Sequence, residues 1–235
     1  MIPLRDNSAD HRLTPLNTLL IAANIAVFVR EVTLGSAASA FVARYAMVPA
    51  RVTNSRLSDL FMITARGPLW PPLTLATSLF VHGGLAHIAG NMLYLFIFGP
   101  AVEERTGPSR YLIFYFLAGF ASDAATILMA PASPVPVIGA SGAIAGVLGA
   151  YFVFYPRGRI LSFLPPLFVS IPAVLFLIVW FSVQLYSGIT SGASDTLFGG
   201  IAWWAHVGGF LFGVMTGPML ARASVSPPRR RSPRR

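Results

Sequence analysis

Three short stretches place polar, chemistry-bearing side chains inside strongly apolar sequence. His87-Ile-Ala-Gly-Asn91 sets a histidine and an asparagine four apart, one above the other on a single helix face. Gly139-Ala-Ser141-Gly142 opens a run rich in glycine and alanine, and Ala205-His206 opens another that continues through Gly208-Gly209 and Gly213. A serine hydroxyl is a weak nucleophile until a base takes its proton. A neutral histidine within hydrogen-bond reach supplies that base, then protonates a leaving amine. The oxyanion formed on the way needs preorganised donors. Asn91 offers an amide N–H, His87 a ring N–H and Ser141 its own backbone N–H.

Other roles for the same residues stand beside this one. A serine in an apolar helix commonly bonds a carbonyl one turn back, and a buried histidine can simply pack. His82 reads as a residue that orients a loop. Three histidines and an asparagine resemble a metal set, but no carboxylate or cysteine joins them, so neither metal nor cofactor is expected. Asp123 is the only carboxylate well inside an apolar run, and no spacing ties it to His206. Glu103, Glu104 and Arg105 read as a charged loop, holding an ion pair or a cap. A carrier or pore using the histidines and Asn91 as a relay is a competing class. Transporters often carry inverted repeats, and this chain shows none.

The elements that must position these groups follow from composition. The 235 residues are 55% hydrophobic and 11% charged, with mean hydropathy +0.68. A soluble domain carries about 25% charged residues, so lipid is the expected solvent, and disorder is excluded. A helix needs ~20 apolar residues to cross a bilayer. The sequence predicts an all-α, polytopic membrane protein with six spans, near 16–32, 76–98, 109–130, 139–155, 167–187 and 201–221. Residues 1–15 read as a polar tail without a signal peptide, 16–221 as one membrane domain and 222–235 as an Arg-rich tail. The loop 33–72 carries Arg44, Arg51, Arg56 and Arg66 among apolar residues, as an interfacial segment does.

All 17 basic residues are arginine, and there is no cysteine, which excludes disulfides and thiolate chemistry. The arginines sit in loops and tails, the pattern of membrane topology rather than nucleic-acid binding. With both termini cytoplasmic, 12 arginines lie inside and 5 outside, and the number of spans must be even. Spans two, four and six then run from outside to inside, and His87, Asn91, Ser141 and His206 share one depth below the outer surface. Ser141 and Gly142 also lie at a helix N-terminus, where N–H groups are unpaired. Small-residue stripes, Ser141/Ala145/Gly149 and Gly142/Gly146/Ala150 against Ala205/Gly209/Gly213/Gly217, let two backbones approach closely. If they face each other, Ser141 and His206 become neighbours.

The chain resembles the rhomboid intramembrane serine proteases, in their bacterial six-span form. The resemblance rests on His82-Gly-Gly-Leu-Ala-His87-Ile-Ala-Gly-Asn91-Met, Gly139-Ala-Ser141-Gly142 and Ala205-His206-Val-Gly-Gly209-x3-Gly213, in this order on spans two, four and six. Gly99-Pro-Ala-Val-Glu-Glu-Arg105-Thr-Gly107 looks like the family's charged turn after span two. The similarity covers roughly residues 15–222. It implies that Ser141 is the nucleophile and His206 the general base of a dyad, with His87 and Asn91 lining the oxyanion site. It also implies a loop partly in the membrane after span one, and span five as a lateral gate. Substrates would be single-span membrane proteins cut in the inner cell membrane, at a site opening to the non-cytoplasmic side; an inactive scaffold is the alternative within the family. Anionic lipid is the expected partner of the Arg-rich tail. The family often has Trp-Arg before span two, whereas here Trp70 is followed by Pro71-Pro72.

Overall fold

The computed structural model describes residues 1–7, 14–55, 69–190 and 203–221. Arg12, Arg56, Arg66 and the Arg-rich tail lie outside the described residues. Thr14 precedes the first long helix, α1 (Pro15–Thr33), which starts on the proline that suits a first helical position. Two short helices follow, α2 (Ala38–Tyr45) and α3 (Pro49–Thr53), then a one-turn α4 (Thr74–Thr77). The bundle continues with α5 (Leu85–Thr106), α6 (Pro108–Met129), α7 (Ser141–Phe154), α8 (Ala173–Thr190) and α9 (Trp203–Leu220). Of these, α1, α5, α6 and α8 are long and apolar enough to cross a membrane.

Helix α7 occupies the centre. Every residue from Gly142 to Tyr151 is buried, and α5, α6, α8 and α9 pack around it. Glycine and alanine make this possible, because a helix without bulk is closely approached from several sides. Gly146 faces Ala118 of α6, where an added Cβ would lie 2.4 Å from the alanine methyl. Large aromatic residues, among them Phe98, Tyr111, Phe114, Tyr115, Tyr151 and Phe176, fill the remaining space. On the outside, Leu19, Val29, Ile113, Leu128, Val183 and Ile189 are exposed, the arrangement expected of helices whose solvent is hydrocarbon.

The architecture departs from the all-α expectation at the end of the bundle remote from Ser141. Strands β1 (Ile2–Asp6), β2 (Arg159–Leu164) and β3 (Leu167–Pro172) form an antiparallel sheet in the order β1-β2-β3. The apolar run expected to begin the fifth span at 167 is thus a strand first. Pro165-Pro166 precede it in the turn from β2, Pro172 ends the strand, and the helix begins only at Ala173. Part of the supposed N-terminal tail also belongs to the fold: Asp6 is buried, and the Tyr151 hydroxyl of α7 donates to it at 2.5 Å.

The helix read as the second span also lies further along the chain than expected. It starts at Leu85, which leaves His82 in the connector before it, and it runs through Pro100 to Thr106. The supposed charged loop is therefore the last turns of α5. There the Glu103 carboxylate accepts the backbone N–H groups of Leu16 and Asn17, at 3.1 and 2.7 Å. These are first-turn donors of α1 with no partner inside their own helix. Gly107, at φ +84°, then reverses the chain into Pro108 and α6.

Candidate active site

His87 and Asn91 lie one turn apart on α5 and converge on Gly139, two residues before Ser141. An added Cβ at Gly139 would stand 2.6 Å from His87 Nε2 and 3.5 Å from Asn91 Nδ2, and the backbone there has φ +109°. Only glycine satisfies both demands. The Gly83 N–H donates to His87 Nδ1 at 3.4 Å. A neutral ring that accepts at Nδ1 carries its proton on Nε2, so the nitrogen facing Gly139 is a donor. Asn91 Nδ2 is buried and has no hydrogen-bond partner among the described residues. Two N–H donors thus face one point, and buried amide donors are rarely left unpaired.

Ser141 begins α7 and is half-buried. Its hydroxyl makes no hydrogen bond among the described residues. Helix α7 has 14 residues and so rises about 21 Å, less than the ~30 Å of a bilayer core. A helix this short, packed among longer ones, falls short of that thickness.

Helix α9 meets α7 at backbone distance along the expected stripes. A Cβ at Gly209 would lie 2.1 Å from the Gly142 carbonyl oxygen, and one at Gly213 would lie 2.0 Å from that of Gly146. From the other side, a Cβ at Gly149 would meet the Phe210 carbonyl at 2.1 Å. The contact begins where Gly142 faces the Ala205 carbonyl, 3.8 Å from an added Cβ. Their chain neighbours Ser141 and His206 therefore stand at the same end of it, although no hydrogen bond joins their side chains. Helix α6 completes the junction: a Cβ at Gly142 would lie 1.8 Å from Ser122 Oγ.

His206 is held from a helix that the motifs did not point to. Its Nδ1 is 2.7 Å from Gln184 Oε1 of α8. The Trp180 and Trp203 rings flank it, with centroids at 5.9 and 6.4 Å. Gln184 is the missed residue, and its signal in the sequence is an amide in the apolar run Trp-Phe-Ser-Val-Gln184-Leu-Tyr. Asp123, the carboxylate within an apolar run, is buried on α6 and makes no hydrogen bond to His206.

His82 is fully buried in the connector, its ring edge-on to that of His87 at 5.1 Å. Its backbone N–H donates to Glu31 Oε2 at 3.2 Å, and its Nδ1 lies 3.2 Å from the Phe80 carbonyl. These contacts fix the connector that delivers Gly83 to His87. A cavity of about 450 Å³ opens beside it, between Phe28, Val32 and Ala38 on one side and Gly83 to Leu85 on the other. Among the described residues, no three His, Cys, Asp or Glu side chains gather as a metal site would require.

Comparison with known proteins adds an independent finding. The profile of the Rhomboid domain matches residues 69–223. The chain is similar to Rhomboid protease GluP of Bacillus subtilis (strain 168), 34% identical over 146 residues, which are 62% of this chain and 27% of that protein. It is similar to mitochondrial Rhomboid protein 1 of Saccharomyces cerevisiae, 26% identical over 172 residues, covering 72% of this chain and 47% of the relative. Mitochondrial Presenilin-associated rhomboid-like protein of Rattus norvegicus is 32% identical over 154 residues, 62% of this chain and 37% of its own. The chain thus spans between about a quarter and a half of the length of these curated relatives.

Proposed function

The chain belongs to the rhomboid family, and from that premise we propose that it is an intramembrane serine endopeptidase acting through a Ser141–His206 dyad. The observation that carries the reading is the convergence at Gly139. Two N–H donors, one of them buried and unpaired, face a point beside the helix start that bears Ser141. Glycine contacts hold the His206 helix against that start.

The chemistry runs as follows. His206 Nε2 takes the Ser141 Oγ proton as the hydroxyl attacks a peptide carbonyl. The carbonyl oxygen becomes an oxyanion that accepts from His87 Nε2–H, Asn91 Nδ2–H and the Ser141 backbone N–H. The imidazolium protonates the leaving amine. Water, activated by the same histidine, then releases the acyl chain from Ser141.

In this reading α1, α5, α6, α7, α8 and α9 are the six spans of a bilayer-embedded domain covering residues 16–221. Both termini are cytoplasmic, and the start of α7 opens toward the other side of the inner membrane. In the same reading the short α7 stops below the outer surface, which gives water a place to reach the hydroxyl. Substrates are single-span membrane proteins arriving sideways from lipid. The Arg-rich tail sits on anionic lipid, as juxtamembrane basic clusters do.

A fluorophosphonate probe tests the nucleophile directly. The purified protein should label on Ser141, and cut at least one of a panel of single-span substrates. Ser141→Ala should neither label nor cut. A labelled, cleaving Ser141→Ala protein would end the proposal, and so would an unlabelled, inactive wild-type protein that is folded.

A further inference from the structure

We propose that Gln184 is a positioning residue that holds His206 in the one tautomer able to act as a base. This rests on the dyad reading above. An amide oxygen only accepts hydrogen bonds. With Gln184 Oε1 at 2.7 Å, His206 Nδ1 must be the donor. A neutral imidazole carries one proton, so Nε2 is left with its lone pair. The opposite tautomer would carry its proton on Nε2, and would have nothing with which to take the Ser141 proton.

The arrangement around this bond keeps the ring from turning. Gln184 is buried, and Trp180, one turn before it on α8, packs against the same imidazole at 5.9 Å. The next turn continues the contact: Gly188 faces Trp204 of α9, with an added Cβ 3.2 Å from its ring. One stripe of α8 therefore seats α9, and Gln184 is the polar group within it. The other faces of α8 carry exposed Val179, Val183 and Ile189.

The bond gains strength as the reaction proceeds. When Nε2 takes the proton, the ring becomes an imidazolium with a proton on each nitrogen. The Nδ1–H to Oε1 bond is then charge-assisted, roughly twice as strong as a neutral one. An interaction stronger in the transition state than in the ground state raises kcat. A buried carboxylate would orient the ring as well, but an ionised group in the hydrocarbon layer is costly. The amide orients without that charge.

Two variants and one spectrum test the role. Gln184→Met keeps length and bulk but removes the acceptor, and Gln184→Glu keeps an acceptor oxygen. Both are assayed in proteoliposomes on a cleavable single-span substrate, with Ser141→Ala and His206→Ala as references. Gln184→Met should lower kcat roughly 10- to 100-fold with KM little changed, while the folded protein keeps its melting temperature within a few degrees. Gln184→Glu should recover most of the loss. In the unaltered protein, the ¹⁵N spectrum of labelled histidine should show His206 protonated at Nδ1 and bare at Nε2, whether or not Gln184→Met folds. Wild-type kcat in Gln184→Met, a loss confined to KM or melting temperature, no recovery with glutamate, or a proton on Nε2 would each overturn the role. The dyad reading fails separately, if His206→Ala keeps wild-type kcat.

Discussion

Catalysis in this reading depends on four side chains: three are tested by their own variants, and His87 through Gly139. Ser141→Ala and His206→Ala should each lower kcat roughly 10⁴-fold or more, and the double variant should be no worse, because nucleophile and base act as a unit. Turnover of a defined substrate by the three proteins checks it; additive losses would separate the two residues. Asn91→Ala removes one donor and should lower kcat by ~10²-fold, with KM nearly unchanged. Gly139→Ala is the sharper probe of the same point. Its methyl would enter 2.6 Å from His87 Nε2 at a backbone of φ +109°, so His87 must move. A ~1 Å displacement in catalytic geometry costs ~10²-fold, and the Gly139→Ala protein should show that loss in kcat.

At the scale of elements, the α7–α9 contact decides whether Ser141 meets His206. Gly209→Ala places a methyl 2.1 Å from the Gly142 carbonyl oxygen. Backbone faces backbone there, so the helices must part. Melting temperature should drop, and the folded fraction should lose ~10²-fold in rate. The control must lie on the same helix but outside the contact. Val207, off the glycine stripe by sequence spacing, is buried at 6% exposure, whereas Met215 is 67% exposed. Met215→Leu should therefore behave as wild type in both measurements. The α1–α5 junction makes a second test. Glu103→Ala leaves the Leu16 and Asn17 N–H groups without the carboxylate that accepts them. Removing such a cap costs about 2 kcal/mol, read as a lower midpoint in an unfolding titration, with kcat of the folded enzyme retained.

For the whole molecule, the sheet and the site lie at opposite ends of α7, about 15 Å apart along the helix between Ser141 and Tyr151. Strand β1 closes the sheet end through Asp6 and Tyr151. Deleting residues 1–7 should lower the melting temperature while leaving kcat of the surviving folded protein near wild type. A large kcat loss without destabilisation would show that the two ends are coupled. Orientation is tested on the same scale, and the absence of cysteine makes the assay clean. Ala132→Cys, in the connector between α6 and α7, should react with an impermeant maleimide added outside intact cells. Ser232→Cys should react only after lysis. Labelling of both from one side would remove the even number of spans and the orientation together.

Much of the candidate site was legible in the chain because lipid restricts what a sequence can contain. Polar groups in apolar runs are costly, so His87, Asn91, Ser141 and His206 stood out, and the small-residue stripes named the two helices that must touch. Helical period alone put His87 and Asn91 on one face. Other features were hidden. The charged turn at Glu103 read as a loop, because a helix that continues through Pro100 is stabilised by partners distant in sequence, here the first turn of α1. The sheet was missed because β3 is a short apolar run, indistinguishable by composition from the start of a span, and β1 lies in a stretch that reads as a polar tail. The pairing of β2 with residues 2–6 is a contact across more than 150 positions, from Asp6 to Ile160 and from Ile2 to Phe163. Gln184 lay in plain view, but its meaning depends on the angle at which α8 meets α9. What the sequence determined by itself was which groups must be shielded from lipid and the helices that carry them. Which group His206 Nδ1 meets, what packs against each end of α7 and where each long helix begins were decided by tertiary packing, since hydrogen bonds between helices belong to no local stretch of the chain.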